Sequence, residues 1–505
     1  MRIVFRADAS IRIGSGHVMR CLTLADILRE LGAETTFVCR EHPGHLFELI
    51  ESKGHRLIRL AAPAEFSSGS LAYADWLGET QEEDAHQVLG SLGDMGCCDW
   101  LVVDHYALDA QWEMLMRGSA RNVMVIDDLA DRQHDCDILL DQNYCLGMES
   151  RYADLVPRQC RKLLGPKYAL LRPEFLEARR GLRPRDGRIE RILMFFGGSD
   201  PSNETAKALQ AIKLLGRNDV AVDVVIGAAN PHQEEIASLC AALPQTMLHR
   251  QASNMAELMS NADLAVGAGG GTMWERCCLG LPAIMTSIAD NQRAGCEAVA
   301  RRGGGIYLGE AASARVELLE AGLRLALSSP WLLVGASEWG MALVDGHGGR
   351  RAARHLMSPL VGLRRAESAD CEPIFRWRNA EETRRFSSSS APLDLGQHTA
   401  WFQKVLQDPE RQILIGEAEG KAIGVLRYDR NGKSALVSVY LVPGNHGRGL
   451  GARLIEQGTS WIGANWPGVE IIEAVILEGN AASLAVFSEA GFEENSRVYV
   501  KQVRG

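Results

Sequence analysis

His17 stands in a glycine-containing turn whose neighbours favour chemistry on a phosphorylated ligand. The turn contains Gly14, Ser15 and Gly16, follows the apolar segment 1–5, and leads into apolar residues at helical spacing from residue 18 onward. This pattern places His17 near a helix N-terminus, where free N–H groups and the helix dipole favour anions and oppose protonation of an imidazole. A neutral histidine beside a phosphate can act as a general base. The plainer interpretation is a turn histidine that only caps the helix.

Two further glycine-rich loops follow apolar strands later in the chain, FFGGSD at 195–200 and GAGGGTMWE at 267–275. Backbone amides of such loops can hold phosphate at a helix N-terminus, and Glu275, about one turn into its helix, can accept two ribose hydroxyls. Close packing of a helix on a strand also requires glycine, so either loop alone is a weak signal of a nucleotide site. Their combination with the His17 turn is more specific.

The elements that must position these loops are short apolar strands alternating with helical patterns. The first series has strands at 35–39, 57–60, 100–104 and 123–127; the second begins after 179–188 and has segments at 191–200, 220–227 and 263–285. The alternation predicts two parallel α/β sheets, each covered on both faces. Ligands of such sheets bind beyond the carboxyl ends of the strands, so we expect the loops to line a cleft between the two sheets.

Composition limits the class of protein. The chain has 505 residues, which predicts two or three domains at roughly 100–200 residues each, and 46% hydrophobic with 23% charged residues is typical of a globular protein. A net charge of -10 argues against nucleic acid as a partner. The absence of a long apolar segment or signal peptide predicts a cytoplasmic protein with no membrane partner.

Twelve cysteines are scattered through apolar context without C-x-x-C spacing, which predicts reduced core thiols and no zinc. A D-x-D pattern at 135–137 is interpreted as structural. We therefore expect no metal.

Residues 1 to about 355 resemble the UDP-2,4-diacetamido-2,4,6-trideoxy-β-L-altropyranose hydrolases of pseudaminic acid biosynthesis. The motifs that carry the resemblance are RADAS (6–10), IGSGHVMRCLTLA (13–25), LVVDHY (101–106), IDD (126–128), LLGPKYALLRPEF (163–175), FGGSD (196–200), GAGGGTMWE (267–275) and ADNQ (289–292). The resemblance implies a GT-B-like pair of Rossmann-like domains. Residues 1–160 would form the domain that carries the catalytic histidine, and residues 161–358 the domain that binds UDP. The resemblance also implies cleavage of UDP from the sugar by water, with inversion at the anomeric carbon.

By this resemblance the family's histidine falls on His17. Asp104, His105 and Tyr106 follow an N-terminal strand and are expected to bind sugar or orient His17, with Asp104 assigned to the catalytic set. The remaining substrate-binding candidates lie in the glycine loops and the ADNQ segment: Gly14, Ser15, Gly16, Gly197, Gly198, Ser199, Gly269, Gly270, Gly271, Thr272, Glu275, Asn291 and Gln292.

Residues 359–505 form a different predicted domain, which resembles the α+β GNAT acyltransferases. The resemblance rests on a strand, a glycine loop and a helix within 435–462, and on the segment NAASLAVFSEAGF at 480–492. It implies acetyl-CoA as co-substrate, with the pyrophosphate on the loop amides. The implied cofactor-binding residues are Val442, His446, Gly447, Arg448, Gly449, Leu450, Gly451, Asn480, Ser483 and Phe487.

Two positions depart from the GNAT pattern. His446 replaces the usual Arg or Gln of the glycine motif, and Phe487 replaces a tyrosine that protonates the leaving thiolate in many relatives. Tyr440, on the preceding strand, is the candidate substitute acid. WRN at 377–379 and HTAWF at 398–402 resemble the acetyltransferase acting on UDP-4-amino-4,6-dideoxy-N-acetyl-β-L-altrosamine, which makes Arg378 and His398 candidate contacts for the nucleotide-sugar.

Acetylation of that 4-amino group immediately precedes UDP hydrolysis, so the fusion would place two consecutive steps on one chain. Two other functions stay open. A GT-B glycosyltransferase would deliver the sugar to an acceptor and would need that acceptor for UDP release. A non-catalytic nucleotide-sugar-binding protein would not need the intact turn around His17.

Overall fold

The computed structural model describes residues 1–62, 73–93, 96–228, 230–357, 361–386, 391–418, 420–446, 449–477 and 479–492. The chain divides into two compact units, Met1–Ala353 and Arg354–Gly505. Gly447 and Arg448 of the predicted acetyl-CoA loop lie outside the described residues. Within the described part, no helix combines the length and apolar character needed to cross a membrane.

The first sheet of the first unit is parallel throughout and has seven strands in the order β3-β2-β1-β4-β5-β6-β7. Its strands are β1 (Arg2–Ala7), β2 (Glu34–Arg40), β3 (Arg56–Leu60), β4 (Cys98–Asp104), β5 (Ala120–Ile126), β6 (Ile138–Asp141) and β7 (Arg161–Leu164). Its helices are α1 (Gly16–Glu30), α2 (Phe47–Ser52), α3 (Gln81–Leu92) and α4 (Ala110–Met116). Helices on both faces explain why β1 and β4 are buried along nearly their whole length, with only Arg2 and Asp99 partly exposed.

The second sheet is also parallel and has six strands in the order β10-β9-β8-β11-β12-β13. Its strands are β8 (Arg191–Phe195), β9 (Ala221–Ile226), β10 (Thr246–Arg250), β11 (Leu264–Ala268), β12 (Ala283–Ser287) and β13 (Ile306–Glu310). The helices are α5 (Pro173–Arg180), α6 (Glu204–Leu215), α7 (Gln233–Ala241), α8 (Met255–Asn261), α9 (Gly271–Cys278), α10 (Asp290–Arg301), α11 (Val316–Ser328), α12 (Pro330–Leu343) and α13 (Gly348–Met357).

Both sheets reverse their winding at one place. In the first sheet β1 lies between β2 and β4, and in the second β8 lies between β9 and β11. Helices on the two sides of such a reversal diverge and leave a crevice at the carboxyl ends of the two central strands. The His17 turn follows β1 and the glycine loops follow β8 and β11, so the topology places all three predicted loops at crevices of this kind.

The second unit contains one mixed sheet in the order β14-β15-β16-β17-β18, antiparallel except for the parallel pair β17–β18. Its strands are β14 (Gly362–Arg365), β15 (Arg411–Ala418), β16 (Lys421–Asn431), β17 (Ser434–Leu441) and β18 (Ile471–Ala474). The helices are α14 (Cys371–Asn379), α15 (Glu381–Arg384), α16 (Leu395–Leu406), α17 (Leu450–Asn465) and α18 (Ala481–Glu489). The division of the chain at 353/354 falls within α13; the boundaries 160/161 and 358/359 stay predictions.

Candidate active sites of the two units

His17 and Asp104 form a hydrogen-bonded pair in the crevice of the first sheet. Asp104 ends β4, and His17 lies in the first turn of α1, which starts after the turn that follows the neighbouring strand β1. The distance from His17 Nδ1 to Asp104 Oδ1 is 2.5 Å. His17 is 6% exposed and Asp104 is fully buried, so the pair is largely shielded from solvent.

The charge on Asp104 determines where the shared proton lies. Burial alone would raise the pKa of the Asp104 carboxyl, but the Arg20 guanidinium and the His17 imidazole hold that pKa well below its usual range. An ionised carboxylate only accepts hydrogen bonds, so His17 Nδ1 donates and Nε2 keeps its lone pair. A histidine oriented in this way can remove a proton from water at Nε2.

A cluster of three aromatic rings reaches His17 through Tyr106 and Trp76. The Tyr106 ring meets the imidazole edge-on, with centroids 4.6 Å apart, and Trp76 stacks on Tyr106 at 5.7 Å. Tyr73 packs against both, at 4.8 Å from Trp76 and 5.2 Å from Tyr106. Tyr106 was predicted from its place after β4, whereas no local signal in the sequence marks Tyr73 or Trp76 as neighbours of His17.

His105 has a different environment from the one predicted. Its side chain is 2% exposed, with Nε2 3.4 Å from Asp8 Oδ2, and the Ala107 N–H donates to its Nδ1 at 3.1 Å. Because successive residues at the end of a strand point to opposite sides, Asp104 faces His17 while His105 faces the interior. The structure therefore gives no support to His105 as a substrate contact.

The loop after β8 carries Gly197, Gly198 and Ser199, with Gly197 at a φ of +100°. The next residue, Asp200, accepts hydrogen bonds from the backbone N–H groups of Glu204 and Thr205, both at 2.9 Å. The N-terminus of α6 is thus already capped by a carboxylate. Asp200 thus occupies the amides of Glu204 and Thr205, and the amides of the glycine loop stay the predicted contacts of a phosphate.

The loop after β11 contains glycines of two kinds. A Cβ on Gly269 would lie 2.6 Å from Cys296 Sγ, and Gly270 has a φ of +88°, so packing and backbone conformation account for both. At Gly271, and at Gly198 in the other loop, a Cβ would meet no described atom within 4 Å. Gly16 of the His17 turn is equally open, whereas Gly14 has a φ of +80°, which by itself favours glycine. Neither local packing nor backbone conformation explains Gly16, Gly198 and Gly271, which a ligand could approach closely.

Three polar side chains surround the second loop. Glu275 is 15% exposed; burial raises the pKa of its carboxyl, an effect that Arg172, 3.4 Å away, opposes. The Gln292 side chain accepts a hydrogen bond from the Ile288 N–H at 3.1 Å and lies beside Gly270. Thr272 is half-buried in the first turn of α9.

Asn291, at the start of α10, connects the second sheet to the crevice of the first. Its Nδ2 donates to the Tyr106 hydroxyl at 3.3 Å. The predicted UDP-binding part of the first unit therefore contacts the part that carries His17 at Tyr106, one of the three clustered aromatic rings. Among the residues described, no group of three or more His, Cys, Asp or Glu side chains is arranged to hold a metal ion.

In the second unit, the loop between β17 and α17 contains the predicted acetyl-CoA residues. Gly449 precedes α17 with a φ of +68°, and a Cβ on Gly451 would lie 3.1 Å from Val486 of α18. Val442 donates its N–H to Ile423 O at 2.8 Å. Leu450 is buried in the core, and His446 lies at the surface, 3.4 Å from Glu382.

Residues of the predicted pantetheine segment are mostly engaged within the unit. The Asn480 side chain caps α18 by accepting the Ser483 N–H at 3.1 Å. Phe487 is 6% exposed and packs edge-on against Phe492 at 5.0 Å, within the hydrophobic core. The structure therefore places Phe487 as a core residue, with no support for a cofactor contact.

The Tyr440 hydroxyl is buried and has no hydrogen-bond partner among the described residues. Burial raises the pKa of Tyr440, while Arg378 and Arg427 act in the opposite direction, so the phenol keeps its proton and can donate it. Burial likewise lowers the pKa of the Arg378 guanidinium.

His398 differs from the prediction. It is 5% exposed, and its Nε2–H donates to Cys371 O at 3.1 Å, which ties α16 to α14. Burial lowers the pKa of His398. Its environment supports a packing role and gives no support to a contact with a nucleotide-sugar.

Comparisons with known proteins assign families to parts of the chain. Residues 361–493 match the acetyltransferase (GNAT) domain, and residues 192–333 match the glycosyltransferase family 28 C-terminal domain. An uncharacterized protein of Methanocaldococcus jannaschii, MJ1062, is 22% identical over 514 residues and is aligned over 98% of both chains.

Two other relatives are similar to part of the chain. The UDP-2,4-diacetamido-2,4,6-trideoxy-β-L-altropyranose hydrolase of Campylobacter jejuni is 25% identical over 265 residues, which cover 52% of this chain and 83% of the relative. The spore coat polysaccharide biosynthesis protein SpsG of Bacillus subtilis is 34% identical over 185 residues, 36% of this chain and 54% of the relative.

These matches and the three sheets confirm the predicted fold class, a GT-B-like pair of Rossmann-like domains followed by a GNAT domain. The chain joins a segment homologous to the altropyranose hydrolase, including a glycosyltransferase family 28 C-terminal domain, to a C-terminal GNAT acetyltransferase domain.

Proposed function

We propose that the first unit hydrolyses UDP-2,4-diacetamido-2,4,6-trideoxy-β-L-altropyranose to UDP and the free sugar. The observation that carries this proposal is the pair of His17 and Asp104, 2.5 Å apart, in the crevice that also receives Asn291 from the glycine-loop half. The similarity to the Campylobacter hydrolase supports the choice of substrate.

In this reaction His17 Nε2 takes a proton from a water molecule while Asp104 stabilises the resulting imidazolium. The water oxygen forms a bond to the anomeric carbon on the face opposite UDP, and the bond from that carbon to the phosphate oxygen breaks. UDP leaves with the electron pair, so the configuration at the anomeric carbon inverts. The loop amides at 197–199 and 269–272 would hold the diphosphate, and Glu275 the ribose hydroxyls.

We propose that the second unit acetylates the 4-amino group of the preceding UDP-sugar, UDP-4-amino-4,6-dideoxy-N-acetyl-β-L-altrosamine. The amine nitrogen attacks the thioester carbon of acetyl-CoA, a C–N bond forms, and the C–S bond breaks. Tyr440 protonates the departing thiolate, the amine releases its proton to solvent, and Tyr440 regains a proton from solvent. Positioning and polarisation of the thioester supply most of the rate of such a transfer. The GNAT match at 361–493 supports this half.

The two activities can be followed in one experiment. The protein is incubated with the 4-amino UDP-sugar and acetyl-CoA in ¹⁸O-labelled water, and the products are followed by NMR and mass spectrometry. We expect the acetylated UDP-sugar first, then free sugar carrying the label and UDP without it. Label in UDP would refute attack at the anomeric carbon, and UDP release only with an added acceptor would indicate a glycosyltransferase.

His17→Asn separates binding from chemistry. This variant should keep UDP-sugar binding and lose hydrolysis by a factor on the order of 10²–10⁴, the usual range for a positioned acid or base. Near-normal turnover would exclude His17 as the base.

A further inference from the structure

Arg20 is a largely buried cation next to the proposed base, and sequence reasoning assigned it no role. Its side chain is 11% exposed and lies between two carboxylates, Asp104 of the first sheet and Asp128 in the loop after β5. Arg20 Nε lies 2.6 Å from Asp104 Oδ2, NH2 lies 2.6 Å from Oδ1, and NH1 lies 3.1 Å from Asp128 Oδ2.

The two short contacts fix the plane of the Asp104 carboxylate. A guanidinium is a planar fork that matches both carboxylate oxygens at once. With Oδ1 and Oδ2 both held by Arg20, Oδ1 has one remaining direction for His17 Nδ1. Arg20 and His17 are three residues apart in α1, which places them on one face of the helix, so α1 presents both groups to the same carboxylate.

Arg20 also lies directly against the imidazole, with its NH2 3.4 Å from His17 Nδ1. The groups that face His17 are Arg20 from α1 and Asp104 and Tyr106 from β4 and its following loop. Asp128 faces it only through Arg20 and Tyr106, because it accepts a hydrogen bond from each.

We propose that Arg20 is a positioning residue for the hydrolysis: it sets the plane of the Asp104 carboxylate and thereby the orientation of His17, while Asp128 accepts a third hydrogen bond from the guanidinium. This inference rests on the proposed hydrolase function. Arg20 acts through its neighbours, so its loss should lower the rate of the chemical step and leave the nucleotide loops unaffected.

The test compares kcat and KM for hydrolysis by wild type, Arg20→Gln and Arg20→Lys, with UDP affinity measured by calorimetry on each. We expect Arg20→Gln to lower kcat by about 10- to 100-fold, as for a misplaced catalytic group, while KM stays within about twofold. Arg20→Lys should not restore kcat, because lysine keeps the charge and lacks the fork. UDP affinity should stay within about twofold in both variants.

Asp128→Asn is the comparison variant, since it removes the charge of one partner of Arg20 and keeps both of the donors that Arg20 presents to Asp104. Its effect on kcat should be smaller than that of Arg20→Gln. Wild-type kcat for Arg20→Gln, or wild-type kcat restored by Arg20→Lys, would overturn the proposal.

Two further outcomes are informative. If Arg20→Gln does not fold because two buried carboxylates lose their cation, Arg20→Lys decides alone: reduced kcat with unchanged UDP affinity supports the proposal, and wild-type kcat overturns it. If wild-type protein releases no UDP from the UDP-sugar, the hydrolase proposal fails and this inference fails with it. Active wild type with unchanged variants would overturn the role of Arg20 alone.

Discussion

Asp104→Asn tests the hydrogen-bond logic of the first site with little change in shape. In the wild type both oxygens of Asp104 accept from donors. Oδ1 accepts from His17 Nδ1 at 2.5 Å and from Arg20 NH2 at 2.6 Å, and Oδ2 accepts from Arg20 Nε at 2.6 Å and from the Cys21 thiol at 3.6 Å. An asparagine must place its NH₂ group at one of these two positions.

Either orientation of the amide disrupts the site. In the first orientation the NH₂ group lies at the Oδ1 position and donates to His17 Nδ1. His17 must then carry its own proton on Nε2, the atom that is proposed to take a proton from water. With NH₂ at the Oδ2 position it faces Arg20 Nε, so two donors oppose each other in a buried site. Both arrangements also remove the negative charge that stabilises an imidazolium. We expect hydrolysis to fall by a factor on the order of 10²–10⁴, the contribution of a positioned base.

The assay is UDP release from the diacetamido UDP-sugar under single-turnover conditions, with UDP-sugar binding measured separately. Binding should change little, because Asp104 is buried behind His17. The double variant His17→Asn with Asp104→Asn should be no slower than the slower single variant, since the two residues act as a unit. A full multiplicative loss in the double variant, or a rate within a few-fold of wild type in Asp104→Asn, would refute the dyad.

Other expected outcomes concern both units. Gly271→Ala should change the free energy of unfolding by no more than about 0.5 kcal/mol, because the added Cβ meets no described atom within 4 Å. The same variant should weaken UDP binding about tenfold or more, a loss of about 1.4 kcal/mol. An unchanged Kd would contradict contact between the diphosphate and this backbone. Gly449→Trp should abolish acetyl transfer and spare UDP release from an acetylated substrate, and equal acetylation by the variant would exclude this loop as the acetyl-CoA site. Because the pKa of Asp104 is lowered in the folded state, its contribution to stability is fully present above about pH 3.9 and is lost as the pH falls through the lowered value. Denaturant titrations at a series of pH values should therefore show that Asp104→Asn loses less stability in acid than the wild type. Equal losses of unfolding free energy in the two proteins would contradict this. Separate chains 1–358 and 359–505 should each fold and keep one activity, and loss of both on separation would indicate that the halves depend on each other.

Much of the fold was predictable from local patterns. The strand, glycine turn and helix around His17 appear in the sequence as an apolar run, two glycines and a helical repeat, and the structure has β1 and α1 at these positions. The same holds for the loops after β8 and β11. These predictions succeed because backbone conformation and the burial of a helix face or a strand depend mainly on neighbouring residues.

The direction of individual side chains was less predictable. His105 and His398 were candidate ligand contacts on the strength of their motifs, yet each is buried and faces a partner in the interior. Phe487 likewise belongs to the core. A motif indicates which segment carries a site, but the packing of adjacent elements determines which of its side chains are accessible.

The sequence by itself determined the kind of elements, their order, and the segments that approach a ligand, because these follow from short-range periodicity and turn chemistry. Only the tertiary structure decided the partners: Asp104 lies 87 residues from His17 in the chain, and Asp128 lies 108 residues from Arg20. Such contacts depend on strand order, which brings β1, β4 and β5 side by side. His17 and Asp104 were therefore recognisable from their own motifs, whereas the contacts of Arg20 and Asp128 became identifiable only once the sheet had assembled.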